Sequence, residues 1–275
     1  MQNSLLKLTR EIDPVLSVVY RAIHESATML GLDYLVVGAS ARDLVMSYCY
    51  DFKIVRMTKD VDFGISVPDW RTYDALREEL LRKDYKPTNL SYRLVGPNHI
   101  PIDIVPFGAL QDQYSQIALP PNGDFIMSVL GFEEAHKHAD HVLVNENPEV
   151  IIPVASPIGL VLLKLVAWLD RDVSLRKKDT IDIKFICEKY EGLPGVLERV
   201  YDQLIDKLES YDHNTELLAI HLLASEVSAI ASTDTRIYIL KLFQHAEMEK
   251  ERRNFREQLG RDEIYEALSR GFCGE

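Results

Sequence analysis

Apolar and polar positions follow different patterns in the two halves of the chain. The first half contains short apolar or alternating stretches of strand length, whereas the second half repeats its apolar residues at helical spacing. The stretches that predict strands are residues 34–37, 60–67, 92–95, 100–105, 141–144 and 150–154. Those that predict helices in the first half are residues 4–30, with a break or fresh start at Pro14, 41–50 and 70–83, and a loop is predicted over 51–59.

The pattern changes at Ser156-Pro157, where a capping residue and a proline at the first helical position begin an apolar helix over 158–170. A further helix is predicted over 180–190, with Asp179 as its cap, and the chain is helical beyond the break at 192–195. The sequence therefore predicts an α+β protein, with a strand-containing domain over 1–155 and a helical domain over 156–275.

The stretch 60–67 carries the first candidate chemistry. Because side chains alternate along a strand, Asp60 and Asp62 lie on one face, and Val61 and Phe63 lie on the other, apolar face. Two carboxylates so close repel each other unless they are protonated or share a cation, and a hard divalent ion such as Mg²⁺ is the usual bridge. The pair therefore indicates a metal site.

A tight turn and a third carboxylate extend this site. The apolar run 34–37 ends at Gly38-Ala39-Ser40 and enters a helix, an arrangement that suits a phosphate at a helix N-terminus. Asp103 is a lone charge within the apolar stretch 100–105, where burying it unpaired would be costly. A phosphate-sized turn beside metal-binding carboxylates indicates phosphoryl or nucleotidyl transfer.

Composition narrows the class of protein. The chain has 275 residues, 47% of them hydrophobic, which is enough for a buried core, and its net charge of -12 argues against broad, non-specific binding to nucleic acid. The longest apolar stretch, 158–169, is too short for a bilayer and contains Lys164, and Met1-Gln2-Asn3-Ser4 shows no signal-peptide pattern. The three cysteines have no metal or redox spacing, so we expect a cytoplasmic protein with reduced thiols and no membrane partner.

These motifs resemble the nucleotidyltransferase superfamily that includes DNA polymerase β. The resemblance rests on Gly38-Ala39-Ser40, Asp60-Val61-Asp62 and Asp103. Downstream, Lys164 on its apolar helix and the segment Lys178-Asp179-Thr180-Ile181-Asp182 are similar to the AbiEii/AbiGii toxin-type nucleotidyltransferases. The sequence departs from the motifs of this family at two positions: Ala39 stands where Gly is usual, and Lys178 stands where Arg is commoner.

The resemblance implies a fold and a role for each motif. The fold is a nucleotidyltransferase-type mixed sheet flanked by helices and followed by a helical bundle. The residues that would hold two Mg²⁺ ions and carry the catalysis, with a nucleoside triphosphate as substrate, are Asp60, Asp62 and Asp103. Those that would bind the nucleotide are Gly38, Ser40, Lys164, Asp179 and Asp182.

The resemblance leaves the acceptor open. A toxin-type enzyme would move a nucleotide to RNA, such as a tRNA, or to protein, and would have an antitoxin partner. The basic residues that could attract RNA, or simply form solvated surface, are Arg171, Arg176, Lys177 and Lys178. Two alternatives remain: transfer to a small molecule such as a cationic antibiotic, and a non-catalytic module that binds a nucleotide or a partner protein.

Several of these residues also have plain structural interpretations. Lys164 could extend from a half-buried helix to water, Asp179 could be only a helix cap, and Gly38 could serve an ordinary strand-to-helix turn. A zinc site at His136, His138 and His141 is disfavoured, because no cysteine or obvious fourth ligand accompanies them.

Overall fold

The computed structural model describes residues 5–53, 58, 60–120, 123 and 125–275. Positions 54–57 and 59, most of the predicted loop before the acidic strand, lie outside the described residues. The chain forms two compact units, Met1–Ser156 and Pro157–Glu275. The boundary falls at the Ser156-Pro157 step, where the sequence pattern changes.

The first unit contains strands and helices in mixed order. Its strands are β1 (Leu5–Lys7), β2 (Tyr34–Val37), β3 (Val61–Ser66), β4 (Lys86–Pro87), β5 (Arg93–Val95), β6 (Pro101–Phe107), β7 (Gln116–Leu119), β8 (Phe125–Ser128), β9 (Asp140–Glu146) and β10 (Glu149–Val154). Its α-helices are α1 (Pro14–Leu30), α2 (Gly38–Arg42), α3 (Trp70–Arg82) and α4 (Phe132–Lys137), and α2 continues into a π-helical segment, Asp43–Cys49.

In the described part of this unit, a mixed sheet joins eight strands in the order β1-β9-β10-β2-β3-β6-β5-β4, and β7 and β8 form a separate hairpin. The pairs β1–β9, β10–β2 and β3–β6 are parallel, and the other neighbours are antiparallel. The predicted mixed sheet is confirmed. Its centre is β3, with β2 on one side and β6 on the other.

The predicted alternation along β3 is also confirmed. Val61, Phe63 and Ile65 are fully buried, and Tyr20 of α1 packs edge-on against the ring of Phe63. On the opposite face Gly64 leaves room for Phe132 of α4, since an added β-carbon would lie 2.8 Å from that ring. At Gly64, two residues beyond Asp62, this second face therefore packs against an aromatic ring.

Two predictions for the start of the chain need correction. The segment Leu5–Lys7, predicted as helix, is a strand that pairs with β9, and the helix starts only at Pro14. Asp13 caps that helix by accepting from the backbone NH of Val15 at 2.8 Å, as the fresh-start interpretation requires. The next helix begins at Gly38 rather than at Ala41, so the small-residue turn is itself the first helical turn.

The second unit is helical throughout its described secondary structure, as predicted. Its α-helices are α5 (Pro157–Asp170), α6 (Val173–Tyr190), α7 (Val196–Leu204), α8 (Thr215–Ile230), α9 (Thr233–Gln244), α10 (Glu249–Leu259) and α11 (Asp262–Cys273). The predicted cap at Asp179 is wrong, because α6 begins at Val173 and Asp179 lies buried within it. No helix among the described residues combines the length and the apolar character needed to cross a membrane.

The core of this unit surrounds α8, which packs against α5, α6, α7 and α11. The closest approach is at Gly271 of α11, where an added β-carbon would collide with the backbone carbonyl of His221. A residue without a side chain therefore sets the spacing of these two helices.

Candidate active site

Three carboxylates converge at one edge of the central strands. Asp62 on β3 and Asp103 on β6 are register partners in a parallel pair, so their side chains leave the sheet on the same face. Asp60 lies two residues before Asp62, and one oxygen from each of the three carboxylates lies within 4.8 Å of the others. The structure thus brings together the three residues that the sequence predicted as metal ligands.

Gly38 lies directly against this cluster. It follows Val37, which pairs with Asp62 across β2 and β3, and its φ of +70° is in the left-handed region that favours glycine. A β-carbon at this position would clash with the Asp62 carboxylate, whose Cγ would lie 3.0 Å away. Ala39 is helical without positive φ, so the Gly-Ala-Ser departure is accommodated.

Ser40 is buried beneath the turn. Its hydroxyl donates to the carbonyl of Val37 at 3.0 Å, and the buried phenol of Tyr20 lies nearby. Burial, followed by the nearby carboxylate of Asp43, raises the pKa of Tyr20 far above its usual value. In this structure Ser40 therefore stabilises the turn from below.

An arginine that the sequence interpretation missed holds the third carboxylate. Arg93 on β5 is the antiparallel register partner of Asp103, and its Nε and Nη2 donate to the two Asp103 oxygens at 2.5 and 2.7 Å. The same Nη2 lies 3.7 Å from an oxygen of Asp60. These contacts, led by the hydrogen bonds to Asp103, raise the pKa of Arg93 above its usual range.

The three carboxylates fit hard divalent cations. Oxygen ligands of one Mg²⁺ at about 2.1 Å lie up to about 4.2 Å apart, so carboxylates already within 4.8 Å need only small side-chain movements. Asp60 is held from the other side by the hydroxyl of Thr58, which donates to it at 2.6 Å. The arrangement can hold divalent ions, beside a glycine that accommodates the Asp62 carboxylate.

A second charged cluster, inside the helical unit, contains the other predicted residues. Lys164 of α5 lies 3.0 Å from an oxygen of Asp179 and 2.8 Å from an oxygen of Asp182, both on α6. Arg171 donates to both oxygens of Asp179 at 2.9 and 2.7 Å. The two aspartate side chains are at most 1% exposed, so burial without these cations would be costly.

The charges of this second cluster balance, because its two cations face two carboxylates. Lys164 does not extend to water, as one interpretation predicted, because its ammonium is bound by both aspartates. The predicted nucleotide-binding residues thus fall into two sets: Gly38 and Ser40 in the first unit, and Lys164, Asp179 and Asp182 in the second. In the described parts of the chain, the group whose ligand atoms could share a metal ion is the aspartate set.

Comparison with known proteins identifies the family. The family model described as nucleotidyl transferase AbiEii toxin, type IV toxin–antitoxin system, matches residues 44–268. The chain therefore belongs to the AbiEii nucleotidyltransferase family and is a transferase enzyme. The match includes both charged clusters but not Gly38 or Ser40. No curated protein matches the chain.

Solved structures give weak similarities. The antibiotic-resistance factor ANT(2'')-Ia is 14% identical, over 72% of this chain and 100% of its own, with a TM-score of 0.37. A nucleotidyltransferase-like protein from Paracoccidioides brasiliensis is 17% identical over 73% and 93%, with a TM-score of 0.39. The Thermotoga maritima CCA-adding enzyme, solved with tRNA, is 13% identical over 94% and 70%, with a TM-score of 0.28. Scores this low carry no argument about the fold or function of the chain.

Proposed function

We propose that this nucleotidyltransferase moves a nucleotide from a nucleoside triphosphate to RNA, with two Mg²⁺ ions held by Asp60, Asp62 and Asp103. The observation that carries the proposal is the convergence of these carboxylates within 4.8 Å. Family membership supplies the reaction class, and the geometry supports the choice of residues. When bound, the ions would neutralise charge that builds on the attacking and leaving oxygens during displacement at phosphorus.

Three residues of the first unit have separate roles in the proposed reaction. The acceptor hydroxyl forms a bond to the α-phosphorus while the bond to the pyrophosphate oxygen breaks, and Asp103 takes the hydroxyl proton. Gly38 leaves room for the Asp62 carboxylate, which a side chain at this position would displace. Ser40 would contact a phosphate only by giving up its bond to Val37, so its main contribution is to hold the turn.

We assign the second cluster a supporting role toward the nucleotide. In the structure, Lys164 is bound by Asp179 and Asp182, which hold its ammonium in place on α5 and offset its charge. Residues 1–155 would then form the catalytic domain, and the helical domain over 156–275 would contribute further residues that bind the nucleotide or the acceptor.

RNA is the acceptor that we favour, because exposed basic residues lie near the start of α6. Of the four basic residues near the start of α6, Arg171 binds Asp179 and Arg176 lies over the ring of Trp168 at 4.6 Å. Lys177 and Lys178 are exposed and supply a local positive surface on an acidic protein. An antitoxin protein is the partner expected of a toxin in a toxin–antitoxin pair.

Purified protein incubated with each α-labelled triphosphate, Mg²⁺ and either total RNA or a protein extract tests this proposal. We expect label in RNA, lost in Asp62→Asn and retained in the matched control Asp74→Asn, whose carboxylate lies exposed on α3. Label in protein alone would identify protein, rather than RNA, as the acceptor. Label in neither fraction, or full activity of Asp62→Asn, would contradict the proposal.

A further inference from the structure

The contact between Arg93 and Asp103 bears on how ions enter the site. Both oxygens of Asp103 accept from one guanidinium in a two-pronged ion pair, at 2.5 and 2.7 Å. Such paired, charge-assisted bonds are the strong ones among hydrogen bonds. A divalent ion on the same carboxylate would lie close to this positive group and be repelled by it.

Charge balance at Asp103 indicates when an ion can bind there. Arg93 offsets the negative charge of Asp103 and lies 3.7 Å from Asp60 as well. An ion at Asp103 therefore meets a neutral ion pair rather than a bare carboxylate until a polyanion arrives or Arg93 moves away.

The structure also shows which part of Arg93 can move. Its backbone is held by the bond from its NH to the Leu90 carbonyl at 3.0 Å, and its carbonyl accepts from the Thr88 hydroxyl at 3.2 Å. Its side chain is 31% exposed, whereas that of Asp103 is 14% exposed. The guanidinium can therefore leave Asp103 by side-chain rotation, without a change in β5.

We propose that Arg93 is a built-in counter-ion that occupies the place of the second divalent ion at Asp103 until the triphosphate binds. One ion then binds the nucleotide-free protein through Asp60 and Asp62. The second ion arrives with the negative charge of the triphosphate and displaces Arg93 from Asp103. This inference rests on the proposed function and makes Arg93 a positioning residue, because it acts through Asp103.

The test counts Mn²⁺ ions on nucleotide-free, full-length protein by isothermal titration calorimetry. We expect wild type to bind one Mn²⁺ and Arg93→Gln to bind two. The second Mn²⁺ should bind Arg93→Gln at least roughly tenfold more tightly than any second Mn²⁺ binds wild type. Asp103→Asn combined with Arg93→Gln should lose that second ion. The matched control is Arg82→Gln, which removes an exposed arginine paired with Glu78 and Glu79, and it should behave as wild type.

If Arg93→Gln does not fold, Arg93→Lys can replace it in the Mn²⁺ titration. Lysine retains the charge but gives up the two parallel bonds, so we expect a second ion at an affinity between those of wild type and Arg93→Gln. Ion number and affinity equal to wild type in the Arg93 variants would overturn the inference and leave the proposed function standing. Absence of Mn²⁺ binding by all the proteins would overturn both.

Discussion

At Gly38 the backbone passes so close to the Asp62 carboxylate that only hydrogen fits on the α-carbon. Sequence reasoning selected this glycine for its approach to a phosphate, and the structure adds that its first neighbour is a proposed metal ligand. Two requirements are combined at this position: a positive φ, and a space too small for any side chain. They can be separated experimentally, because Gly31 shares only the first of them.

We expect Gly38→Ala to destabilise the protein by about 1–2 kcal/mol and to lower transferase activity at least roughly tenfold, since the new methyl group displaces Asp62. The control is Gly31→Ala, with φ of +66° and no atom within 4 Å of the added carbon. It should cost about 1 kcal/mol and keep full activity. Chemical denaturation and the labelled-triphosphate assay measure both, and equal activity of the two variants would contradict the steric argument.

His221 gives a residue-scale prediction about pH. Burial, helped by Lys207 and Arg270, lowers its pKa to about 4 from 6.5, and its Nδ1 lies 2.8 Å from the Tyr211 hydroxyl. Between pH 6.5 and 4 the unfolded chain binds a proton at this residue that the folded chain does not. The stabilisation is therefore complete above pH 6.5 and is lost as the pH falls through this window.

His221→Gln keeps a hydrogen-bonding group for Tyr211 but does not titrate. Below pH 6.5 the unfolding free energy of this variant should fall less steeply than that of wild type, by up to about 1.4 kcal/mol per pH unit. Urea denaturation at pH 7, 6 and 5 in parallel provides the comparison. Identical pH slopes would show that His221 is not responsible.

At the scale of elements, the ion cluster joins α5 to α6. Lys164→Met leaves Asp179 and Asp182 buried without their shared cation, so we expect a loss of about 3 kcal/mol in unfolding free energy. The control Lys184→Met breaks a half-buried pair within α6, 3.9 Å from Glu188, and should change stability by less than about 0.5 kcal/mol. Unchanged stability of Lys164→Met by chemical denaturation would refute a structural role for the cluster.

The elements that the sequence predicted well are those that local pattern determines. The alternation along β3 and the proline start of α5 needed no distant partner, and both are confirmed. Strand β1 was missed because its three residues gain their conformation only by pairing with β9, more than a hundred residues away. The cap at Asp179 was wrong because Lys164 and Arg171 bind that carboxylate within a longer helix.

The candidate site shows the same limit. Asp60, Asp62 and Asp103 could be grouped from sequence because each interrupts an apolar strand pattern and family resemblance links them. Arg93 could not be added, since its place opposite Asp103 depends on the register of β5 and β6. That register follows from the intervening turn, in which Asn98 and His99 both have positive φ.

On the scale of the whole molecule, the fold provides two units that each contain one cluster of the predicted residues. The first unit contributes an acidic cluster with Arg93 against it, suited to cations that accompany a triphosphate. The second contributes a neutralised ion cluster inside a helical core. Activity as an AbiEii-family transferase is therefore expected to depend on ions bound in the first unit, in a protein whose overall charge is strongly negative.

The most direct test of this account is a crystal structure of the protein with Mn²⁺ and a non-hydrolysable nucleoside triphosphate, with anomalous data collected at the manganese edge. We predict anomalous peaks ligated by Asp60, Asp62 and Asp103, with Arg93 turned away from Asp103. A bound triphosphate whose ions lie away from these carboxylates would contradict the account.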